Sequence, residues 1–198
     1  MPTTTWGTQF AIARGRERAT RISDYVRVLA LRPNTVVAVQ PDLGPYSKCT
    51  GVLLGAGQAC DMNIHEDVEI QASGPVLVGH YLVSGGGLGP QSGDPSLAFI
   101  PPIDQFRTSY TIVVPMQYAA NDLELAAPAG GSVMLDGSDI SLLFAPFATG
   151  AFRAARVQVA PGPHTIICAM GCSVEVAGWN TAVSYLYSGG YDVAPIVQ

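Results

Sequence analysis

The chain of 198 residues carries 15 acidic and 10 basic side chains, a net charge of −5, and is 48% apolar but only 13% charged. That balance is too apolar for a disordered chain, and its 22 glycines and 15 prolines follow no collagen period. No apolar run reaches the roughly 20 residues of a membrane helix, and the length allows one large domain or two small ones with real cores.

Met1 to Thr5 lacks the charged and then apolar pattern of a signal peptide, so an export signal is expected outside this chain. Nine of the ten basic residues are Arg, and six of these fall between Arg14 and Arg32. Arg14, Arg16 and Arg18 read as one solvated face of a strand. No aromatic residues interleave them as a nucleic-acid platform requires, so no nucleic-acid partner is expected. Residues 11–31 are ambiguous, because their Ala, Arg and Glu tolerate a helix, but no segment sustains three helical turns.

Period-2 alternation or β-branched enrichment predicts strands over 25–31, 35–40, 68–72, 75–83, 110–114, 122–126, 132–135, 152–159, 164–168, 173–176 and 182–187. Turn signals such as Arg32-Pro33-Asn34, Asp136-Gly137 and Ala160-Pro161-Gly162-Pro163 separate them. Short strands at this spacing predict an all-β fold of antiparallel β-sandwich architecture. His65-Glu66-Asp67 reads as a solvated loop, since successive strand residues point to opposite faces and do not converge on one ion. Asp136-Gly137-Ser138-Asp139 reads as a hairpin turn rather than a calcium loop.

The four cysteines form two local pairs. Neither spacing suits zinc, and His65, His80 and His164 are scattered. Disulfides Cys49–Cys60 and Cys168–Cys172, each closing a loop between neighbouring strands, are expected, with buried free thiols as the alternative. No metal and no cofactor is expected.

The order of elements suggests a duplication. Val68-Glu69-Ile70 precedes Tyr81-Leu82-Val83-Ser84-Gly85-Gly86, as Val174-Glu175-Val176 precedes Tyr185-Leu186-Tyr187-Ser188-Gly189-Gly190. Two similar β-sandwich halves in tandem are therefore expected, over 1–86 and 97–198, with 87–96 as a Gly/Pro-rich join. The cleft between halves is the expected place for a site.

The blocks Gly93-Asp94-Pro95-Ser96, Pro101 to Arg107 leading to Tyr110, Ala127 to Gly130, Leu135-Asp136-Gly137, Gly162-Pro163-His164 and Val183 to Gly190 resemble the N-terminal domain family of the IgG Fc-binding proteins. Asn34 to Val37 and Gly74 to Val78 resemble the family's earlier strands, so the resemblance spans residues 7–193. That family occurs in animal mucus proteins and in bacterial surface proteins, myxobacterial ones among them. The resemblance implies an extracellular or cell-surface β domain used for binding or adhesion, not catalysis. Its ligand is a protein or a glycan; whether immunoglobulin binding applies to a bacterial-looking member is left open.

Within these blocks Arg107 suits a carboxylate pair with Asp94 or Asp104. Tyr185 and Tyr187 share a strand face, as sheet core or as a binding platform, with Tyr81 as their echo. No nucleophile elbow or phosphate loop is present, and Gly55-Ala56-Gly57 lacks the third glycine of a dinucleotide motif. The second functional reading is a structural subunit of an extracellular filament, sheath or matrix, built by self-assembly through apolar surface.

Overall fold

Two strands longer than any the alternation predicts organise the chain. The computed structural model describes residues 1–18, 23–84 and 93–196. The first half holds β1 (Gly7–Ile12), β2 (Asp24–Ala30), β3 (Thr35–Gln40), β4 (Leu53–Leu54), β5 (Ala59–Ile64), β6 (Val68–Leu82) and β7 (Ser96–Ile100). The second holds β8 (Arg107–Val114), β9 (Ala120–Pro128), β10 (Val133–Leu135), β11 (Ser138–Asp139), β12 (Ala145–Pro146), β13 (Phe152–Gln158), β14 (Gly162–Asn180) and β15 (Val183–Ser188). The ambiguous stretch 11–31 holds the end of β1, irregular backbone over 13–18, and β2. The helical segments among the described residues are 3-10 turns of three residues each.

The expected strands 68–72 and 75–83 are one strand, β6, bent at Ser73-Gly74-Pro75. Its first part pairs with β1 and β3, its last part with β2 and β7. Likewise 164–168 and 173–176 are one strand, β14, whose first part pairs with β8 and β10 and whose last part pairs with β9 and β15. Each long strand thus serves both layers of its own sandwich. The bend of β14 falls at Gly171, whose φ of 74° favours glycine and where a Cβ would meet Phe106 at 3.2 Å.

Strand orders β4-β3-β6-β2-β5 and β11-β10-β14-β9-β13-β12 correspond, with β12 added in the second half. The fold is all-β, two curled antiparallel sheets in tandem. The register of the sequence echo is different, however. Val68-Glu69-Ile70 lies before the bend of β6, whereas Val174-Glu175-Val176 lies after the bend of β14. Tyr81 lies on β6 and Tyr185 on β15, so they are not equivalent. β7, Ser96–Ile100, hydrogen-bonds to β6 and completes the first sheet. Most of the Gly/Pro-rich join, residues 87–92, lies outside the described residues.

Period-2 burial builds two cores. Val26, Val28, Met62, Ile64, Val76 and Val78 fill the first, and Leu123, Leu125, Ile166, Val174 and Val176 fill the second. Both disulfides form, with Cα separations of 5.1 Å for Cys49–Cys60 and 5.9 Å for Cys168–Cys172. The second does not join neighbouring strands. Both its cysteines lie on β14 and span the bend.

Candidate functional site

The two halves present equivalent sheet faces, one open and one sealed. On β2, β5, β6 and β7 the residues alternating with the first core point outward. Strand pairing sets Asp61, Arg27, Gly79 and Phe99 in one row and Tyr25, Tyr81 and Leu97 in the next. Arg27 donates to Asp61 through Nε and Nη2 at 2.7 and 3.0 Å, and Nη2 also reaches the Tyr25 hydroxyl at 3.2 Å. Tyr25 and Tyr81 meet edge to face, with ring centroids 5.5 Å apart. Leu97 and Phe99 keep 42% and 38% of their surface exposed. A Cβ on Gly79 would lie 3.2 Å from Leu97 Cδ1 and 3.5 Å from Tyr81, so glycine lets these side chains close over the strand.

The corresponding face of the second half is covered. On β9, Leu123 and Leu125 enter the core, so Asp122, Glu124 and Ala126 point the other way. On β14, Glu175, Ala177 and Trp179 do the same. The first half lies on this face: Ala11 and Ala13 pack against Ala126, Phe147 and Ala154, while Leu82 and Ala98 pack against Ala177, Trp179 and Leu186.

Between these apolar patches lies a buried polar cluster. His80 is fully buried. Its Nδ1 stands 3.2 and 3.0 Å from the two oxygens of Glu175, and its Nε2 stands 3.2 Å from Asp24 Oδ2. Burial opposes a charge on His80, but Glu175 and Asp24 outweigh it and raise its pKa well above the usual histidine value. Burial pushes Glu124 in the same direction, well above the carboxylate range, with Glu175 adding to the effect. Neither oxygen of Glu124 has a hydrogen-bond partner.

The arginine segment closes this seam. Gly15 N donates to Asp24 Oδ2 at 2.6 Å, and Arg16 pairs with Asp122 at 2.7 Å. Arg18 donates to the Val83 carbonyl at 2.6 Å and lies 5.8 Å over Trp179. Arg156 bonds the Arg14 carbonyl at 2.7 Å and pairs with Asp67. Burial lowers the Arg156 pKa to about 10. Arg16 and Arg18 are therefore counter-cations of an acidic sheet face, not members of a solvated strand. Two signals for this were present in the sequence, the acidic alternation of β9 and the basic excess of residues 14–18.

The residues singled out from the sequence are not brought together. Arg107 is exposed at the start of β8 and, among the described residues, forms no ion pair with Asp94 or Asp104. Asp94 is held by its backbone to Ser184. Asp104 lines a separate cleft with Trp6, Arg32, Asn34 and Gly74. Tyr185 and Tyr187 stack against the second core, their hydroxyls donating to Asn121 Oδ1 and the Val113 carbonyl, each at 2.7 Å. Asp136 accepts from the Thr165 amide at 2.8 Å and pairs with His164 at 2.6 Å, which fixes its hairpin.

Fold and site together define a domain built for contact. Residues 1–178 match the model of the IgGFc binding protein family, and the chain belongs to that family. It is a binding or adhesion domain. No curated protein matches the chain. Among solved structures it is similar to an anti-sigma factor domain-containing protein from Clostridium clariflavum, at 11% identity over 89% of this chain and 83% of that one, with a TM-score of 0.24. Among the described residues no helix is long and apolar enough to cross a membrane.

Proposed function

We propose that the open face of the first half, carried by Tyr25, Arg27, Tyr81, Leu97 and Phe99, is the surface on which this domain binds a protein ligand outside the cell. The observation that carries the reading is the contiguous outward patch of aromatic, Leu and Arg side chains on three paired strands, β2, β6 and β7. Aromatic and Arg side chains are the usual anchors of protein interfaces. A flat sheet face suits a protein better than a glycan, which favours a concave pocket with convergent polar groups. The two disulfides favour an oxidising compartment. In this reading residues 1–86 together with β7 present the ligand face, and the second half supports the first.

The family's name makes the IgG Fc the first ligand to try. Surface plasmon resonance with immobilised IgG Fc tests it. Binding that Phe99→Ala or Arg27→Ala weakens at least tenfold, with Tm unchanged, supports the reading. Binding that survives both substitutions sinks it.

A second reading, self-assembly into a filament or sheath, has its own observation. The equivalent face of the second half is the one the first half covers, so a further copy stacked in the same way would cover the open face. A head-to-tail contact of this kind does not close on itself. Sedimentation velocity separates the readings: a mass that grows with concentration and is lost in Leu97→Lys favours assembly, and a constant 20.7 kDa species excludes it.

A further inference from the structure

We propose that His80, Glu124 and Glu175 form a binding site for one divalent transition-metal ion, zinc or manganese, in the seam between the two halves. A ring nitrogen of His80 and one carboxylate oxygen from each glutamate lie within 4.8 Å of one another. An ion equidistant from three donors at that limit is about 2.8 Å from each, against the ~2.0–2.2 Å of zinc–nitrogen and zinc–oxygen bonds. Closing the set around an ion therefore takes shifts of at most about 0.8 Å.

Three independent features point to an ion. The first is Glu124. Its carboxylate is 99% sequestered, since only 1% of the residue is exposed, and both oxygens lack a hydrogen-bond partner. A buried carboxylate in that state is costly unless something binds it. Metal ligation uses both the position and the empty lone pairs.

The second is Asp24. It stands 3.2 Å from Nε2, on the side of the imidazole opposite Glu175. Carboxylates in this place orient metal-ligating histidines: Nε2–H donates to Asp24, and the Nδ1 lone pair is left free to face the ion. Asp24 is itself held by the Gly15 amide at 2.6 Å, so the orienting group is fixed in turn.

The third is charge. Asp24, Glu124 and Glu175 converge with Arg18 as the adjacent cation. With an ion on Nδ1 the imidazole is neutral, and among the described residues the three carboxylates and Arg18 then leave two negative charges in a region closed to water, which one divalent ion cancels. One imidazole with two carboxylates suits a borderline ion such as zinc or manganese better than calcium, which takes six or more oxygens. His80 comes from the first half and both glutamates come from the second, so the ion would clasp the halves together.

The full 198-residue chain, free of any histidine tag, is unfolded and refolded in chelator and then titrated with Zn²⁺ or Mn²⁺. Metal content is read by plasma mass spectrometry after gel filtration, and Tm by calorimetry. The expected result is about one ion retained per chain, with a raised Tm that chelator during refolding abolishes. Glu124→Gln should weaken retention at least tenfold, and the orienting variant Asp24→Asn by about 10–100-fold. The paired surface change His65→Asn with His164→Asn should leave retention unaltered. Wild-type chain that keeps neither ion and shows no Tm shift overturns the proposal, with protons on His80 and Glu124 then holding the cluster. Undiminished binding by folded Glu124→Gln overturns it as well.

Discussion

His80 on β6 and Glu175 on β14 meet at 3.0 Å across the seam, so the central strand of each half contributes one partner of a single buried pair. Nothing nearby in sequence supports the contact, since the two residues are 95 positions apart. The pair exists only when both halves are folded and docked, which couples their stabilities. Replacing His80 by Leu leaves Asp24 and Glu175 buried without their shared cation or donor. Breaking such a pair from one side costs about 3–5 kcal/mol. Urea unfolding of His80→Leu should show that loss, whereas Arg27→Ala, which removes an exposed and solvent-screened pair, should leave the unfolding midpoint nearly unchanged.

Gly15 tests the same seam without touching a charge. An added Cβ would sit 2.8 Å from Asp24 Oδ2 and 2.9 Å from Glu124 Oε1. Gly15→Ala must therefore push the arginine segment off the acidic face or displace both carboxylates. Overpacking of this kind costs about 1–3 kcal/mol. The expected signature is a lowered Tm together with faster proteolysis after Arg14, Arg16 or Arg18. A Tm within one degree of the parent would show that the segment does not press on the cluster.

The sheets were legible because alternation is a local property. Val26, Val28 and Ala30 differ from Tyr25, Arg27 and Leu29 in any pairing, and the fold buries the first set. What covers the second face is not local. Asp122 and Glu124 alternate with Leu123 and Leu125 as a solvated strand does, yet the first half seals them. The duplication was legible in element order but not in register, because the β-branched alternation occurs on both sides of the bend in β6, as Val68-Glu69-Ile70 and as Val76-Leu77-Val78, and the letters match the wrong one. His80 carried a signal in its setting, a titratable residue within the apolar run Val76 to Leu82. Its partners Asp24 and Glu175 could be named only from the fold. Arg107 with Asp94 or Asp104 was a pairing by proximity in sequence; in the fold the backbone of Asp94 is held at Ser184 and Asp104 lines the cleft with Trp6.

The disulfides should differ in what they contribute. Cys49–Cys60 spans 11 positions and Cys168–Cys172 only 4. Loop-closure entropy gives about 3 kcal/mol for the first and about 2 kcal/mol for the second. The double variant Cys49→Ser with Cys60→Ser should therefore lose more stability in denaturant than Cys168→Ser with Cys172→Ser. The reverse order would mean that the short bridge acts on the native bend at Gly171 rather than on the unfolded chain.

His164 and Asp136 give the pH dependence of the second half's hairpin. Burial works against charge on His164, but the bonds to Asp136 and to the Ala160 carbonyl outweigh it and raise its pKa. The hydrogen bond from His164 lowers the Asp136 pKa, and the Thr165 amide adds to the effect. The histidine's contribution is complete below its unfolded pKa of about 6.5 and is lost as pH rises through the folded value. The aspartate's contribution is complete above its unfolded value of about 3.9 and is lost as pH falls through its lowered folded value. Both are present together between about pH 4 and 6.5, and Asp136 is exposed enough that solvent screening keeps the effect small. Asp136→Asn keeps a residue that tolerates the observed φ of 50° while removing the charge. Titration of the His164 ring protons by NMR should then show its pKa falling towards the ordinary histidine value, with the stability difference between wild type and variant largest in that acidic window and shrinking above it. An unchanged His164 titration in the variant would mean that the Ala160 carbonyl, and not Asp136, sets the proton affinity of the ring.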